Sequence, residues 1–425
     1  MPIPRKAAKP SREEIKRLES LINASKILNS TLDLDKLLSL ILDLAVKNLK
    51  ANRGTIYLID QEKKELWSKV LKGKELVEIR LPIGTGIAGH VAKTGRTINL
   101  QDAWKDKRFF AGFDIRTGFQ TKTMLCMPMR DRKKKIIGVF QILNKREGVF
   151  DKDDEQFLGA FSVHAALAIE TTRLHQAIVE KERIEKEIEI AGAIQRRLLP
   201  KEIPSLPGYE VDALARPSKM VGGDYYDIIK LTDRKFAFVV ADVSGKGVPA
   251  ALLVSTLHAS LHAYIESEID LAELVGKLNL VVYKNTEPER YITFFIGILD
   301  LERGNFTYVN AGHNFPFVFS PLKKSLVELG AGGLPLGMFE IAEYKKESIE
   351  ITRTEGLVLY TDGVTEAMNK AFVEYGEDRL RLKIQESAEK PAAEMKINIV
   401  SDVDRFVAGE PQSDDLTVMV VKRLA

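Results

Sequence analysis

One cysteine in 425 residues excludes an internal disulfide and suits a reducing compartment. That residue, Cys126, sits in the apolar run MLCMPM, which reads as a buried, inert thiol and sets cysteine-based phosphatase chemistry aside. Long apolar runs are missing as well: LLSLILDLAV (37–46) is interrupted by an acid at helical spacing and reads as amphipathic, so no membrane span is expected. The stretch MPIPRKAAKPSREE has basic residues without a following apolar core or a small-residue cleavage site; it reads as no signal peptide, and the expected location is cytoplasmic. Charge of one sign is also lacking. With 63 Lys and Arg against 60 Asp and Glu, the formal charge of +3 gives no footing for nucleic acid or an anionic membrane.

What is present is a globular composition, 45% hydrophobic and 29% charged, at a length that suits two or three domains. After a charged tail, Ser11 to Glu14 offers a capping box for a first helix, and TLDLDKLLSLILDLAVKNL forms a second, amphipathic one. From Thr55 the period changes to two: GTIYLID, ELWSKVL and VEIRLP describe an antiparallel meander. GTGIAGHVAKTG is a short glycine-bounded helix, MLCMPMR and KIIGVFQILN are two further strands, and a long helix begins near Asp153. Helices around such a sheet make an α+β layer domain.

Between His164 and Leu199 turn signals almost vanish. Interleaved charges with Leu174, Ile178, Ile184, Ile188, Ala191 and Leu198 on one seam suit a helix paired with its symmetry mate in a homodimeric coiled coil; a solvated helix packed on its own domain is the alternative. Pro200, Pro204 and Pro207-Gly208 end it. Beyond Tyr209, FAFVVADV, TFFIGILD, FTYVNAG, GLVLYTDG and LTVMVVK are short buried strands without regular helical crossovers. Stacked antiparallel sheets with outer helices follow. The expected division is a tail and helix over 1–19, a first domain over 20–171, a helical linker over 172–207 and a second domain over 208–425.

Acids recur at the strand ends of that last domain. Asp224 lies in MVGGDYYD, Asp242 follows FAFVVA, Asp362 follows LVLY, and Asp414 and Asp415 precede LTVMVV. A lone Asp-Gly is usually a turn residue, but several such carboxylates at one sheet edge repel one another unless a cation neutralises them. Oxygen ligands without histidine or cysteine point to Mg²⁺ or Mn²⁺. The neighbouring Gly222, Gly223, Gly245, Gly247 and Gly363 let the backbone turn tightly there.

The ordered motifs GGDYYD, ADVSGKGVPAA, NAGHN, YTDGVTEA and SDDLT, with the connector IAGAIQRRLLP, resemble the SpoIIE-type branch of the metal-dependent (PPM) serine/threonine protein phosphatases from about Ile188 onward. The resemblance implies a β-sandwich flanked by helices and two Mn²⁺ or Mg²⁺ ions. Asp224 and Asp242 would hold one ion with the Val243 carbonyl; Asp242, Asp362 and Asp414 would hold the other. Asp415 takes a neighbouring place that is Asn in other branches. Two such cations activate water and neutralise phosphoryl oxygens, so direct hydrolysis needs no nucleophilic side chain. The implied substrate is a phosphoserine or phosphothreonine on a partner such as a STAS-type anti-sigma-factor antagonist.

Many eukaryotic relatives carry a histidine after the central aspartate, where this chain has Val243-Ser244-Gly245. His313 is the nearest substitute, with a structural loop tie as the plainer reading, and Lys246 reads either as a phosphate contact or as a solvated lysine. SGKG lacks the Ser or Thr and the upstream glycine of a phosphate-binding P-loop. An Asn-rich helix of the histidine-kinase-like ATPases and the Asp-x-Asp-x-Thr of haloacid-dehalogenase phosphatases are likewise lacking. The rival class is a non-enzymatic, ligand-responsive switch that binds its partner without turnover.

PIGTGIAGHVAKTGRTINLQDAWKDKRF, DIRTGFQTKTMLCMPM and IIGVFQILNK resemble a GAF domain over roughly Ser20 to Thr171. In NKREGVFDKDDE, the residues Asn144, Lys145, Phe150, Asp154 and Glu155 match a motif of cyclic-nucleotide-binding members, where it is largely a structural Lys-to-acid tie. The resemblance implies a small-molecule pocket with a cyclic nucleotide as the first candidate.

Overall fold

The protein is described by a computed structural model covering residue 26 and residues 31–72, 75–265, 270–287, 289–330 and 332–425. The helix expected from Ser11 lies outside the described residues. The chain divides into two compact units, Met1–Arg183 and Ile184–Ala425.

In the first unit, Asp33 accepts hydrogen bonds from the Asp35 and Lys36 amides and so caps helix α1 (Leu34–Asn48). Leu37, Ile41 and Ala45 then recur at a four-residue spacing and are buried. Strands β1 (Ala51–Asp60), β2 (Glu65–Lys72) and β3 (Glu75–Pro82) form the expected meander, followed by helix α2 (Gly86–Thr94), β4 (Ile98–Leu100), the short α3 (Gly112–Thr117), β5 (Met124–Arg130) and β6 (Ile136–Lys145). The sheet order is β3-β2-β1-β6-β5-β4, all antiparallel. One face packs against α1 and the start of helix α4 (Lys152–Gln195) through Phe140, Phe157 and Phe161, while α2 covers the other through Ile87 and Val91. Cys126 is buried on that second face, and burial pushes its thiol far above the usual range, as expected of an inert cysteine.

Helix α4 is one uninterrupted run of 44 residues. Leu174, Ile178 and Ile184 on the expected seam are exposed.

The second unit is a sandwich of two antiparallel five-stranded sheets. Sheet one contains β8 (Asp224–Lys230), β9 (Lys235–Val243), β10 (Ile292–Asp300), β11 (Asn305–Ala311) and β14 (Glu347–Glu350). Sheet two contains β7 (Tyr209–Arg216), β12 (Phe317–Ser320), β13 (Ser325–Glu328), β15 (Gly356–Tyr360) and β16 (Leu416–Arg423). Alternation along each strand supplies two apolar faces: Phe238, Phe295 and Phe306 meet Leu359 and Met419 between the sheets. Outside sheet one lie α5 (Val248–Tyr264) and α6 (Leu271–Asn285). The four-residue α7 (Asp362–Thr365) follows β15, and α8 (Glu377–Glu386) and α9 (Ala392–Val407) cover the outside of sheet two.

Candidate metal centre

The strands end where the acids are. Asp224 opens β8, Asp242 is the penultimate residue of β9, and the two are cross-strand partners. Asp362 begins α7 immediately beyond β15, and Asp414 and Asp415 lie just ahead of β16. The Asp362 turn can lie this close to Asp414-Asp415 only because Gly363 has no side chain: a Cβ there would come within 1.8 Å of the Asp415 carbonyl.

Convergence appears in the electrostatics. Burial, then the Asp362, Asp414 and Asp415 carboxylates, push Asp242 up to about 7, with the Lys246 ammonium opposing. Asp224 is held well above the usual carboxylate range by burial and then by Asp242, against the hydroxyl donors Thr417 and Thr361. Burial followed by Asp414 raises Asp362. Thr361 and Thr417 both donate to Asp224 Oδ2, at 2.7 and 2.6 Å. Its other oxygen, Oδ1, is buried without a hydrogen-bond partner.

Asp415 is engaged on both oxygens. Oδ1 accepts from the Ser218 amide at 2.6 Å and the Ser218 hydroxyl at 2.9 Å, and Oδ2 accepts from the Gly223 amide, which fixes the loop entering β8. The Val243 amide donates to the Gly223 carbonyl at 3.2 Å, and the Val243 carbonyl oxygen would stand 3.1 Å from a Cβ at position 223. Lys246 is no free loop lysine: its Nζ is 2.7 Å from Asp414 Oδ2 and donates to the Ser413 carbonyl at 2.7 Å. His313 is buried, and burial lowers it to about 4, so its ring is neutral. Nε2 lies 3.0 Å from the Tyr360 carbonyl and Nδ1 2.9 Å from the Thr293 hydroxyl, which makes His313 a tie between β10, β15 and its own loop.

An all-oxygen donor set, mutually repelling carboxylates and an orphaned buried Oδ1 fit hard divalent cations of the Mg²⁺ and Mn²⁺ kind.

Both halves of the chain are similar to known proteins. The family of stage II sporulation protein E (SpoIIE) matches residues 232–424. RsbU, a phosphoserine phosphatase of Bacillus subtilis strain 168, is 32% identical over 244 residues, which is 57% of this chain and 72% of RsbU. The chain belongs to the SpoIIE-type phosphatase family. Its SpoIIE domain also has the fold of the SiaA-PP2C domain of Pseudomonas aeruginosa, at a TM-score of 0.52 and 21% identity over 58% of this chain and 99% of that domain. The GAF family matches residues 33–169. A probable 3',5'-cyclic phosphodiesterase of Caenorhabditis elegans is 32% identical over 172 residues, covering 38% of this chain and 24% of that protein.

The GAF domain contains a cavity of about 290 Å³ whose lining includes Arg53, Tyr57, Asp114, Phe119, Thr121 and Gln141. Lys145 pairs with Asp154 and, at 3.3 Å, with Asp151, while Asn99 donates to the Phe150 carbonyl and to Glu155. The NKREGVFDKDDE motif is therefore a clamp in this protein, and none of its residues lines the cavity.

Sequence reasoning missed Thr361 and Thr417 although both sit inside the quoted motifs. It also missed Asp227, His258 and His262. Among the described residues, these three form the group whose possible donor atoms all lie within 4.8 Å of one another; Asp224, Asp242, Asp362 and Asp414 do not form a group by that measure. The four-residue interval in HASLH on an otherwise apolar helix was the available signal.

Proposed function

We propose that the chain is a metal-dependent protein-serine/threonine phosphatase whose activity is governed by a small molecule in its GAF domain. The observation that carries the reading is the convergence of Asp224, Asp242 and Asp362, each raised first by burial and then by a neighbouring carboxylate (Asp242, Asp362 and Asp414 in turn), beside the unpartnered Asp224 Oδ1. In this proposal two ions, Mn²⁺ or Mg²⁺, are held by Asp224, Asp242 and the Val243 carbonyl on one side and by Asp242, Asp362 and Asp414 on the other. Asp415 contributes chiefly by bracing the Gly223 amide. When bound, the ions supply water activation and neutralisation of phosphoryl charge. Thr361 and Thr417 fix one Asp224 oxygen and leave the other as the donor. His313, neutral and engaged through both ring nitrogens, positions the loop and gives no proton to the leaving group.

The substrate we assign is a phosphoserine or phosphothreonine on a STAS-type anti-sigma-factor antagonist, in keeping with the family. The aromatic and apolar walls of the GAF cavity, with Arg53 available to an anionic group, support a cyclic nucleotide as the effector. The exposed seam of Leu174, Ile178 and Ile184 supports a homodimer paired through α4, which would carry the sensor state to the phosphatase. Among the described residues no helix is long and apolar enough to cross a membrane, and we assign the cytoplasm.

The test is hydrolysis of para-nitrophenyl phosphate by the full chain with Mn²⁺. Activity that requires the metal and disappears in Asp242→Ala and Asp362→Ala supports the reading. Metal-indifferent or absent turnover with intact partner binding supports the non-enzymatic switch instead.

A further inference from the structure

Strand β8 carries a second carboxylate on its opposite face. Asp224 points toward sheet two, where Thr361 and Thr417 meet it, whereas Tyr225 and Asp227 alternate to the side covered by α5. There α5 presents His258 and His262, one helical turn apart, with ring centroids 4.4 Å from each other. Asp227 is buried, and its Oδ1 accepts from the Ile228 amide at 2.8 Å. Its Oδ2 is crowded: the Tyr225 hydroxyl donates to it at 2.6 Å, His262 Nε2 lies 2.7 Å away, and His258 Nδ1 lies 4.0 Å away. Tyr225 Oη is also 3.0 Å from His258 Nδ1.

A hydrogen-bond network that only had to satisfy Asp227 needs one of these histidines. Two are present, and both direct a ring nitrogen at the same few cubic ångströms. Around a tetrahedral ion with bonds of about 2.0–2.1 Å, ligand atoms stand roughly 3.4 Å apart. The separations of 2.7 and 4.0 Å from Asp227 Oδ2 bracket that value, and all three donor atoms lie within 4.8 Å of one another; an ion entering between them displaces the hydrogen bonds that the Tyr225 hydroxyl makes there. The His262 side chain is 42% exposed, which leaves the group open to solvent for entry of an ion and for a fourth ligand.

We propose that Asp227, His258 and His262 form a transition-metal site, distinct from the aspartate centre, that staples α5 to β8. Two imidazoles and one carboxylate make a borderline donor set suited to Zn²⁺ and its neighbours Co²⁺ and Ni²⁺, whereas Mg²⁺ favours oxygen alone. Its position gives the staple leverage. Asp227 is three residues along the strand that Asp224 opens, and α5 follows directly on the Ser244–Gly247 turn leaving Asp242. A bound ion thus fixes β8, which carries Asp224, against α5, whose start is set by the turn that follows Asp242.

Cobalt binding tests this without recourse to turnover. Metal-free full-length protein is titrated with Co²⁺ in excess Mg²⁺, which occupies oxygen sites, and the visible d–d absorption is recorded. Low-coordinate cobalt with nitrogen ligands absorbs far more strongly than six-coordinate cobalt in an all-oxygen site. The expected result is a strong band saturating at one equivalent, abolished by Zn²⁺, retained in Asp362→Ala, and weakened at least about tenfold in affinity in His262→Gln and His258→Gln. His262 is partly exposed, so His262→Gln decides the matter even if His258→Gln does not fold. A wild-type protein without the band, or a band unchanged in His262→Gln, overturns the proposal.

Discussion

Asp224 and Asp242 stand directly opposite each other in the antiparallel ladder between β8 and β9. Like charges at such a pair destabilise a sheet, and burial strengthens the penalty. Asp242→Asn is therefore expected to raise the melting temperature of the EDTA-treated protein while removing phosphatase activity. The gain corresponds to about 2–4 °C for each kcal/mol of repulsion relieved. Melting in EDTA beside Mn²⁺-dependent hydrolysis checks both halves; a lower melting temperature would show that the two carboxylates are not in conflict.

The same repulsion sets a pH dependence. Asp242 is raised to about 7, and Asp224 and Asp362 are raised in the same sense. In the folded, metal-free protein these groups retain protons that the unfolded chain releases near its ordinary carboxylate pKa. Their contribution to stability is therefore present below about pH 4 and is lost as pH rises towards about 7. Mn²⁺ competes with those protons, so its stabilising effect should grow over the same interval. Thermal melts at stepped pH, with EDTA and with Mn²⁺, should diverge upward; parallel curves would count against the site.

Lys246 supplies a fixed positive charge at Asp414. It offsets part of the carboxylate repulsion and, under the proposed function, would compete with a cation for the same oxygen. Because the pair is partly exposed, the effect is of order 1 kcal/mol or less. Lys246→Met should lower the Mn²⁺ concentration for half-maximal activity by about threefold to fivefold. An increase in that concentration would assign Lys246 to the substrate phosphate instead.

Much of this was legible in the sequence because it is local. Period-two runs such as FAFVVADV and LTVMVVK announce strands, and the acid beyond each apolar run announces a charged sheet edge. The long helix was legible from its missing turn signals. What joins distant segments was not. Thr361 and Thr417 reach Asp224 across 137 and 193 residues, and nothing in either threonine's neighbourhood says which carboxylate it will meet. Lys246 left a phosphate contact and a solvated lysine open, because its partner Asp414 comes from the far end of the domain. His258 and His262 were hidden differently, since their apolar helix reads as core and the ligand-like spacing appears only once Asp227 is known to face them.

The end of α4 also grips the loop that leads into Asp224. Gln195 Nε2 donates to the Gly222 carbonyl at 2.6 Å, and the Gly222 amide donates to Gln195 Oε1 at 3.0 Å. Gly192, one turn earlier, lies so close to Met220 that a Cβ would approach its carbonyl oxygen to 2.1 Å. Two reciprocal hydrogen bonds and a backbone contact therefore set where Gly222-Gly223 enters β8, and with it the orphaned Oδ1 of Asp224. Gln195→Ala removes both bonds and should cost about 1–3 kcal/mol of stability. If the grip holds the ligand in place, the variant also needs more Mn²⁺ for half-maximal activity and recovers most of its rate at saturating metal. A rate that falls without any change in metal requirement would mean that the grip acts elsewhere than on Asp224.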